Sequence, residues 1–151
     1  MMKRMTLLLA VTAVMLFGPA VAPASAQAVK DSSCTAQGLT WDCHFHIKDY
    51  TIGAPVTFTV SYSCPGNCGP VTSFGLQDRG FTPEGVSGHL VGGKRMPSGL
   101  ELTFVFDSLG KTGNHAKGMG NFVMNLMVDD GAGGMVAVAC PVDVRLKSTK
   151  D

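Results

Sequence analysis

Apolar and polar residues alternate along most of the chain from residue 39 onward, with a period of two that is typical of β-strands with one buried face. In residues 39–48, Leu, Trp, Cys, Phe and Ile occupy one phase, while Thr, Asp, Lys and two His occupy the other. Helical spacing is not sustained in any part of the chain. The pattern predicts seven strand segments, which are residues 39–48, 55–64, 71–78, 86–91, 100–107, 121–129 and 136–146.

Two of these segments have weaker patterns than the others. In residues 71–78 we expect Thr72, Phe74 and Leu76 to face the core, because they share one phase of the alternation. The segment 86–91 is followed by a pair of glycines, which are poor strand formers. We therefore expect short strands at both places.

Seven short strands separated by turn signals resemble an immunoglobulin-like β-sandwich of about seven antiparallel strands. The resemblance rests on the number and order of the strands. A small β-barrel is the alternative all-β arrangement. Gly-rich hairpins between the strands leave no place for crossover helices, so a parallel α/β arrangement is excluded.

Composition and charge fit a single folded domain. The chain has 151 residues, of which 45% are hydrophobic and 15% are charged. Its 12 Lys and Arg nearly balance its 11 Asp and Glu, so the formal net charge is +1. Proteins that bind nucleic acid usually carry an excess of basic residues that neutralises phosphates. We therefore expect no nucleic-acid partner.

Residues 1–26 have the features of a secretory signal peptide. Two basic residues precede an apolar run over residues 6–17, and Ala-Ser-Ala supplies small residues before a cleavage point that follows Ala26. The apolar run is shorter than the ~20 residues that a membrane-spanning helix needs. We expect residues 27–151 to be a single secreted or periplasmic domain without a membrane anchor.

The cysteines are predicted to form disulfides, because the predicted destination is oxidising. Five cysteines leave at least one thiol without an intramolecular partner. Cys43 and Cys140 fall on inward phases of strands that would run in the same direction in an immunoglobulin-like order, so they are the preferred long-range pair. Cys64 and Cys68 flank a Pro-Gly turn and are the preferred local pair. Cys34 then remains alone, or pairs with Cys64 or Cys68 instead.

The candidate metal ligands are histidines. His44 and His46 lie two residues apart on the predicted solvent face of one strand, where two imidazoles can chelate one ion. His115, in the predicted loop 108–118, is expected at the same end as His46 and is the candidate third ligand. Imidazole suits zinc and copper, which are therefore the candidate cofactors. The alternative is that these histidines are solvated and bind no cofactor.

A candidate partner-binding face lies on the outward phase of the last two segments. Val123 and Met127 are on this phase of one strand, and Ala137 and Ala139 are on this phase of the next. Together they predict a flat, weakly polar sheet face that can bind a partner. The alternative is a modest apolar patch without a role.

Three loops are predicted to extend this recognition surface, because loops often carry function. They span residues 64–70, 93–98 and 129–134, and in a sandwich they would gather at one end. The middle loop supplies Lys94 and Arg95 as candidate contact residues.

No catalytic constellation is recognisable in the sequence. The nucleophile elbow, the zinc-protease helix motif and the phosphate-binding loop are all absent. We therefore expect a secreted or periplasmic, non-enzymatic interaction module that binds a protein or a component of the cell envelope. A periplasmic copper- or zinc-binding protein that uses His44 and His46 is the alternative.

Overall fold

The structure is a computed structural model that describes residues 26–64, 69–112 and 115–148. Within these ranges the chain forms ten β-strands and no helix. The strands are β1 (Ala26–Gln27), β2 (Val29–Ala36), β3 (Leu39–Ile47), β4 (Pro55–Ser63), β5 (Val71–Thr82), β6 (Ser87–Met96), β7 (Gly99–Ser108), β8 (Gly110–Thr112), β9 (His115–Asp129) and β10 (Met135–Ser148).

The all-β prediction is confirmed. The strands form one mixed sheet, in the order β5-β9-β10-β3-β4-β7-β6, which nearly closes into a barrel. This arrangement agrees with both the sandwich and the small-barrel alternatives. Two pairings, β10 with β3 and β1 with β4, are parallel, and the others are antiparallel.

The core is built by the strands whose alternation is strictest. Their inward residues on β3, β4, β7, β9 and β10 are nearly all buried, as predicted. The rings of Phe104 and Phe122 lie 4.3 Å apart between centroids, and Phe58 packs against both. These contacts join β4 and β7 to β9 across the interior, so one continuous core supports the whole sheet.

Strand β3 connects the two sides of the sheet. Its C-terminal half pairs with β10, where His44 lies opposite Asp143, while its N-terminal half pairs with β4, where Trp41 lies opposite Tyr62. Strand β2 covers most of one edge of β3. Strands β10 and β4 therefore share the other edge, where each pairs with a different half of β3. The Trp41 indole N–H donates a hydrogen bond to the Pro141 carbonyl, at 3.3 Å, where the two strands separate.

The two terminal strands of the sheet, β5 and β6, meet through side chains. Among the described residues they form no hydrogen-bonded ladder with each other. The Arg95 guanidinium on β6 lies 5.5 Å from the centroid of the Phe74 ring on β5, which is a cation–π distance. Phe81 of β5 packs edge-on against Phe106, with centroids 5.4 Å apart. These side-chain contacts fill most of the gap between the two terminal strands.

The strands with weak patterns differ from prediction. Thr72 is exposed rather than inward, because a register shift between Val71 and Ser73 displaces it from the alternation. The strand β6 continues through its glycines to Met96, since a second register shift at Val91 allows it to remain paired with β7.

The predicted loop 108–118 is also wrong. It contains β8 and the beginning of β9, which starts six residues before the predicted Asn121. Residues 115–120 are mostly polar or small, so no apolar alternation indicates a strand there. They pair with the C-terminal part of β10 instead, as far as Ser148 opposite Ala116.

The predicted disulfide between Cys43 and Cys140 is wrong. Cys43 is bonded to Cys34 on β2, with their Cα atoms 5.8 Å apart, and Cys140 is a buried free thiol. The parallel register, with His44 opposite Asp143, puts Cys140 two residues out of step with Cys43. That offset and one inter-strand spacing give roughly 8 Å between Cα atoms, beyond the range that a disulfide spans.

Candidate functional site

The outer surface of β5, β9, β10 and β3 is the candidate functional surface. Even-numbered residues of β9 and β10 are buried in the core, so odd-numbered residues point outward. The strand register aligns these outward residues in rows that cross the sheet. Three rows on β5, β9 and β10 carry no ionisable residue, the other half of the surface is rich in cations, and His44 and Asp143 share the row between them.

The uncharged face consists of three rows on β5, β9 and β10. The rows are Ser73, Met127 and Ala137; Gly75, Asn125 and Ala139; and Gln77, Val123 and Pro141. Val123 and Met127 are half-buried, and most of their neighbours have small side chains. The structure therefore puts the four predicted face residues together on one uncharged surface.

Lys94 and Arg95 are not part of the uncharged face. Both belong to β6, which meets β5 through side chains but contributes no residue to the three rows. Lys94 is exposed and lies opposite Glu101 of β7, whereas the Arg95 guanidinium packs over Phe74. Their nearest partners are thus within the fold, and sequence alone could not separate them from the candidate face.

The predicted loop 93–98 is wrong, because β6 extends to Met96, and the turn that follows β6 lies at the same end of the molecule as Gly69 and the turn 129–134. The Gly69 N–H donates a hydrogen bond to the Asp129 carbonyl at 2.6 Å, which joins the first loop to the third. The Tyr62 N–H donates to the Ser98 carbonyl at 2.9 Å, which brings the β6–β7 turn to the end of β4. Cys64 is disulfide-bonded, but Cys68 lies outside the described residues, so their pairing stays a prediction.

The turn between β9 and β10 is held by two carboxylates. Asp129 accepts a hydrogen bond from the Gly131 N–H at 2.7 Å, and Asp130 accepts from the Ala132 and Gly134 N–H groups at 2.8 and 2.9 Å. The two latter hydrogen bonds lower the pKa of Asp130, because they stabilise its ionised form. The carboxylates therefore fix the loop that borders the uncharged face.

His44 stands beside the disulfide. Its Nδ1 is buried, lies 3.4 Å from an Asp143 carboxylate oxygen, and forms no hydrogen bond among the described residues. Cys34, Cys43 and His44 are a group of potential metal ligands, with their ligand atoms within 4.8 Å of one another. The two sulfurs are bonded to each other, so only the imidazole has a free ligand atom in this state.

The structure does not bring the three predicted metal ligands together. His46 is outward and half-buried in the next row, where it lies opposite Arg145 rather than facing a carboxylate. In β9 this row contains Met119. Met119 lies four residues from His115, which is roughly 13 Å along the strand. The His115 side chain itself lies outside the described part of the structure.

A cationic groove surrounds His46, and sequence analysis missed it. The groove has a volume of about 420 Å³, and its charged members are Lys117, Arg145 and Lys147. Lys117 lies directly opposite Lys147 on neighbouring strands, and Arg145 lies opposite His46. The positions of Arg145 and Lys147 on the outward phase of β10 were a sequence signal for a cationic surface. The addition of Lys117 follows only from the pairing register of β9 and β10.

Cys140 lies in the core beneath the uncharged face. Burial raises the pKa of its thiol to about 12, because the thiolate would lose its hydration there. A reactive cysteine needs a lowered pKa and some exposure. Cys140 is therefore an unreactive core residue and takes no part in a site.

Comparison with protein-family models, with curated proteins and with solved structures finds no match to this chain. Within the described residues there is no helix that could traverse a bilayer. The function is therefore inferred from the fold and from the chemistry of the surface.

Proposed function

We propose that this chain is an exported, disulfide-bonded binding module that docks a protein partner on the uncharged face. The Cys34–Cys43 disulfide supports an oxidising compartment, in line with the predicted signal peptide. Mass spectrometry of the exported protein tests the compartment. We expect a chain that begins at Gln27 and contains the Cys34–Cys43 bridge, whereas a retained leader with reduced thiols contradicts export.

The observation that carries the proposal is a nine-residue area of solvent-facing sheet without any charge. Interface centres are depleted of charged residues, and methionine is enriched there. Gly75, Ala137 and Ala139 allow a partner to approach the strands closely, while Met127 can adapt its shape to the contact.

The size of the uncharged face shows what else must contribute. Three strands and three rows extend roughly 14 by 10 Å between the outermost Cα atoms. A typical stable interface buries about 800 Å² on each partner, so this face is the centre of a contact and not all of it. The Asp129–Asp130 turn borders the face and is the nearest additional surface.

The partner is tested by introducing a charge at the centre of the face. Met127→Lys is expected to abolish capture of the partner from the exported fraction of the source cells, because a buried unpaired ammonium is costly. Val91→Lys is the matched control, since Val91 is an exposed apolar residue of β6 away from the face. Both variants should keep the wild-type melting temperature. Equal capture by both variants, or equal loss, contradicts the proposed surface.

Metal binding is the second candidate function, and one observation favours it. Asp143 lies next to the buried Nδ1 of His44, and carboxylates commonly orient metal-binding histidines through the ring nitrogen that does not bind the metal. Zinc or copper would then be held by His44 with His46 as its neighbour on the strand.

Metal content separates this candidate from the first. The protein purified from its own compartment without chelators is analysed for zinc and copper, together with a His44→Ala, His46→Ala double variant. His89→Ala is the control, because His89 also faces a carboxylate, with Nδ1 2.9 Å from Asp107. A stoichiometric ion that is lost only in the double variant supports the site, and a metal-free wild type contradicts it.

A further inference from the structure

The described residues that line the cationic groove include three permanent cations and no carboxylate. Lys117, Arg145 and Lys147 share it with His46 on one surface of β9, β10 and β3. We propose that this groove is a binding site for the phosphate groups of a small anionic ligand. The inference does not depend on the uncharged face or on its partner.

The arrangement of the cations is unfavourable without a counter-ion. Lys117 and Lys147 are directly opposite on antiparallel strands, a position at which like charges destabilise a sheet. The ion pair between permanent charges among the described residues joins Lys30 to Asp42 instead, at 3.0 Å. A bound dianion would replace repulsion between the two ammonium groups by attraction to both.

The kinds of cation present suit phosphate. Arg145 offers a planar guanidinium that can donate two parallel hydrogen bonds to a phosphate, and the lysines add mobile point charges. His46 lies opposite Arg145 and can donate a further hydrogen bond from its ring. The groove is thus equipped for an oxyanion with several acceptor oxygens.

The walls of the groove indicate that the ligand also has an uncharged portion. Pro83 and Met119 line it next to the charged residues. A neighbouring concavity of about 620 Å³ shares His46, but its Lys48 is offset by Asp31 and its Lys30 pairs with Asp42, so it adds no second site for an anion. The ligand is therefore a phosphate compound with an apolar substituent.

The extent of the groove favours a small ligand over a nucleic-acid polymer. The three strands span roughly 10 Å, which corresponds to a few phosphate groups. Asp143 lies in the next row and ends the cationic area on that side, and the uncharged face begins beyond it. A long polyanion would find no continuation of positive charge there.

The test uses sodium tripolyphosphate as a soluble probe in titration calorimetry at low ionic strength. Wild type is expected to bind it, and the Lys117→Gln, Arg145→Gln double variant to bind at least tenfold more weakly. The matched control is Arg79→Gln with Lys94→Gln, which removes one arginine and one lysine that are also exposed but lie on β5 and β6. The control should bind within twofold of wild type.

Vesicles distinguish a soluble ligand from a lipid headgroup. The protein is sedimented with phosphatidylglycerol vesicles and, for comparison, with phosphatidylcholine vesicles. Binding to phosphatidylglycerol vesicles alone, from which tripolyphosphate displaces the protein, assigns the site to lipid headgroups. Binding of tripolyphosphate without vesicle binding assigns it to soluble phosphate compounds. Absence of binding to both probes overturns the proposal, as does equal weakening in the two double variants. Retention of wild type on duplex DNA that is lost only in the Lys117→Gln, Arg145→Gln variant assigns the groove to a nucleic acid and also overturns it.

Discussion

The uncharged face and the cationic groove share strands β9 and β10 and lie above the same core, yet their surface chemistry differs. In β10, Ala137, Ala139 and Pro141 precede Arg145 and Lys147 on one outward phase. The inward phase beneath them is apolar from Val136 to Leu146. The difference shows that the core restricts only every second residue, so the outward rows are free to specialise from one end of the strand to the other.

The largest expected effect is a separation of two binding activities. Charge reversal by Lys117→Glu with Arg145→Glu should weaken tripolyphosphate binding by roughly 100-fold, because two charge-assisted contacts become repulsive. Met127→Lys should leave that binding within twofold and should abolish only the partner complex. Titration calorimetry measures the first activity and partner capture the second. If either variant impairs both, the two halves do not act independently.

Loss of the disulfide should affect one half more than the other. Removing the bridge by Cys34→Ala with Cys43→Ala opens a loop of sequence separation nine and should lower the free energy of unfolding by about 3 kcal/mol. Strand β2 pairs with β3 beside the cationic groove, so hydrogen exchange should accelerate in Val29–Ala36. Exchange in β9 beneath Val123 and Met127 should change far less. Uniform acceleration across the sheet would contradict this assignment.

The thiol beneath the uncharged face should report how tightly that half is packed. Cys140, with its pKa raised to about 12, should resist iodoacetamide at pH 8 in the native protein and react after unfolding. Because the folded pKa is raised above the unfolded value, this group reduces stability as the pH rises from about 9 towards 12. At pH 10 the Cys140→Val variant should therefore lose about 1 kcal/mol less of its free energy of unfolding than wild type does. Denaturant unfolding of both proteins at pH 7 and pH 10 measures this difference.

The smallest expected effect is a gain in stability. Lys117→Thr removes the like-charge pair with Lys147 and should raise the free energy of unfolding by roughly 0.2–1 kcal/mol in low salt. The gain should shrink as salt screens the repulsion. Lys94→Thr is the control, because Lys94 faces Glu101 and its loss should not stabilise the protein. A gain that is independent of salt would show that repulsion is not its cause.

The sequence was sufficient for the core and for the uncharged face. Strict alternation predicted that Leu39 and Phe104 are buried, and the opposite phase located Val123 and Met127 on one outer surface. Strand β2 escaped detection because it is an edge strand with few apolar residues, and its pairing with β3 supplies most of its structure.

Features that depend on register were not predictable. The partner of Cys43 is decided by a register shift in the β2–β3 ladder and by the offset of β10, neither of which has a local signal. The cationic groove likewise combines residues from three strands. A net charge of +1 for the whole chain conceals such a local concentration, because the balancing carboxylates lie elsewhere.

The contact between β5 and β6 through side chains has a consequence for association between copies of the chain. A sheet that does not close retains two edges whose main-chain groups can pair with another strand. Asp78 and Arg79 on β5, and Lys94 and Arg95 on β6, bring charges to these edges. Charged side chains at a sheet edge disfavour its pairing with the edge of another molecule, so both open edges are protected against growth of the sheet from one chain to the next.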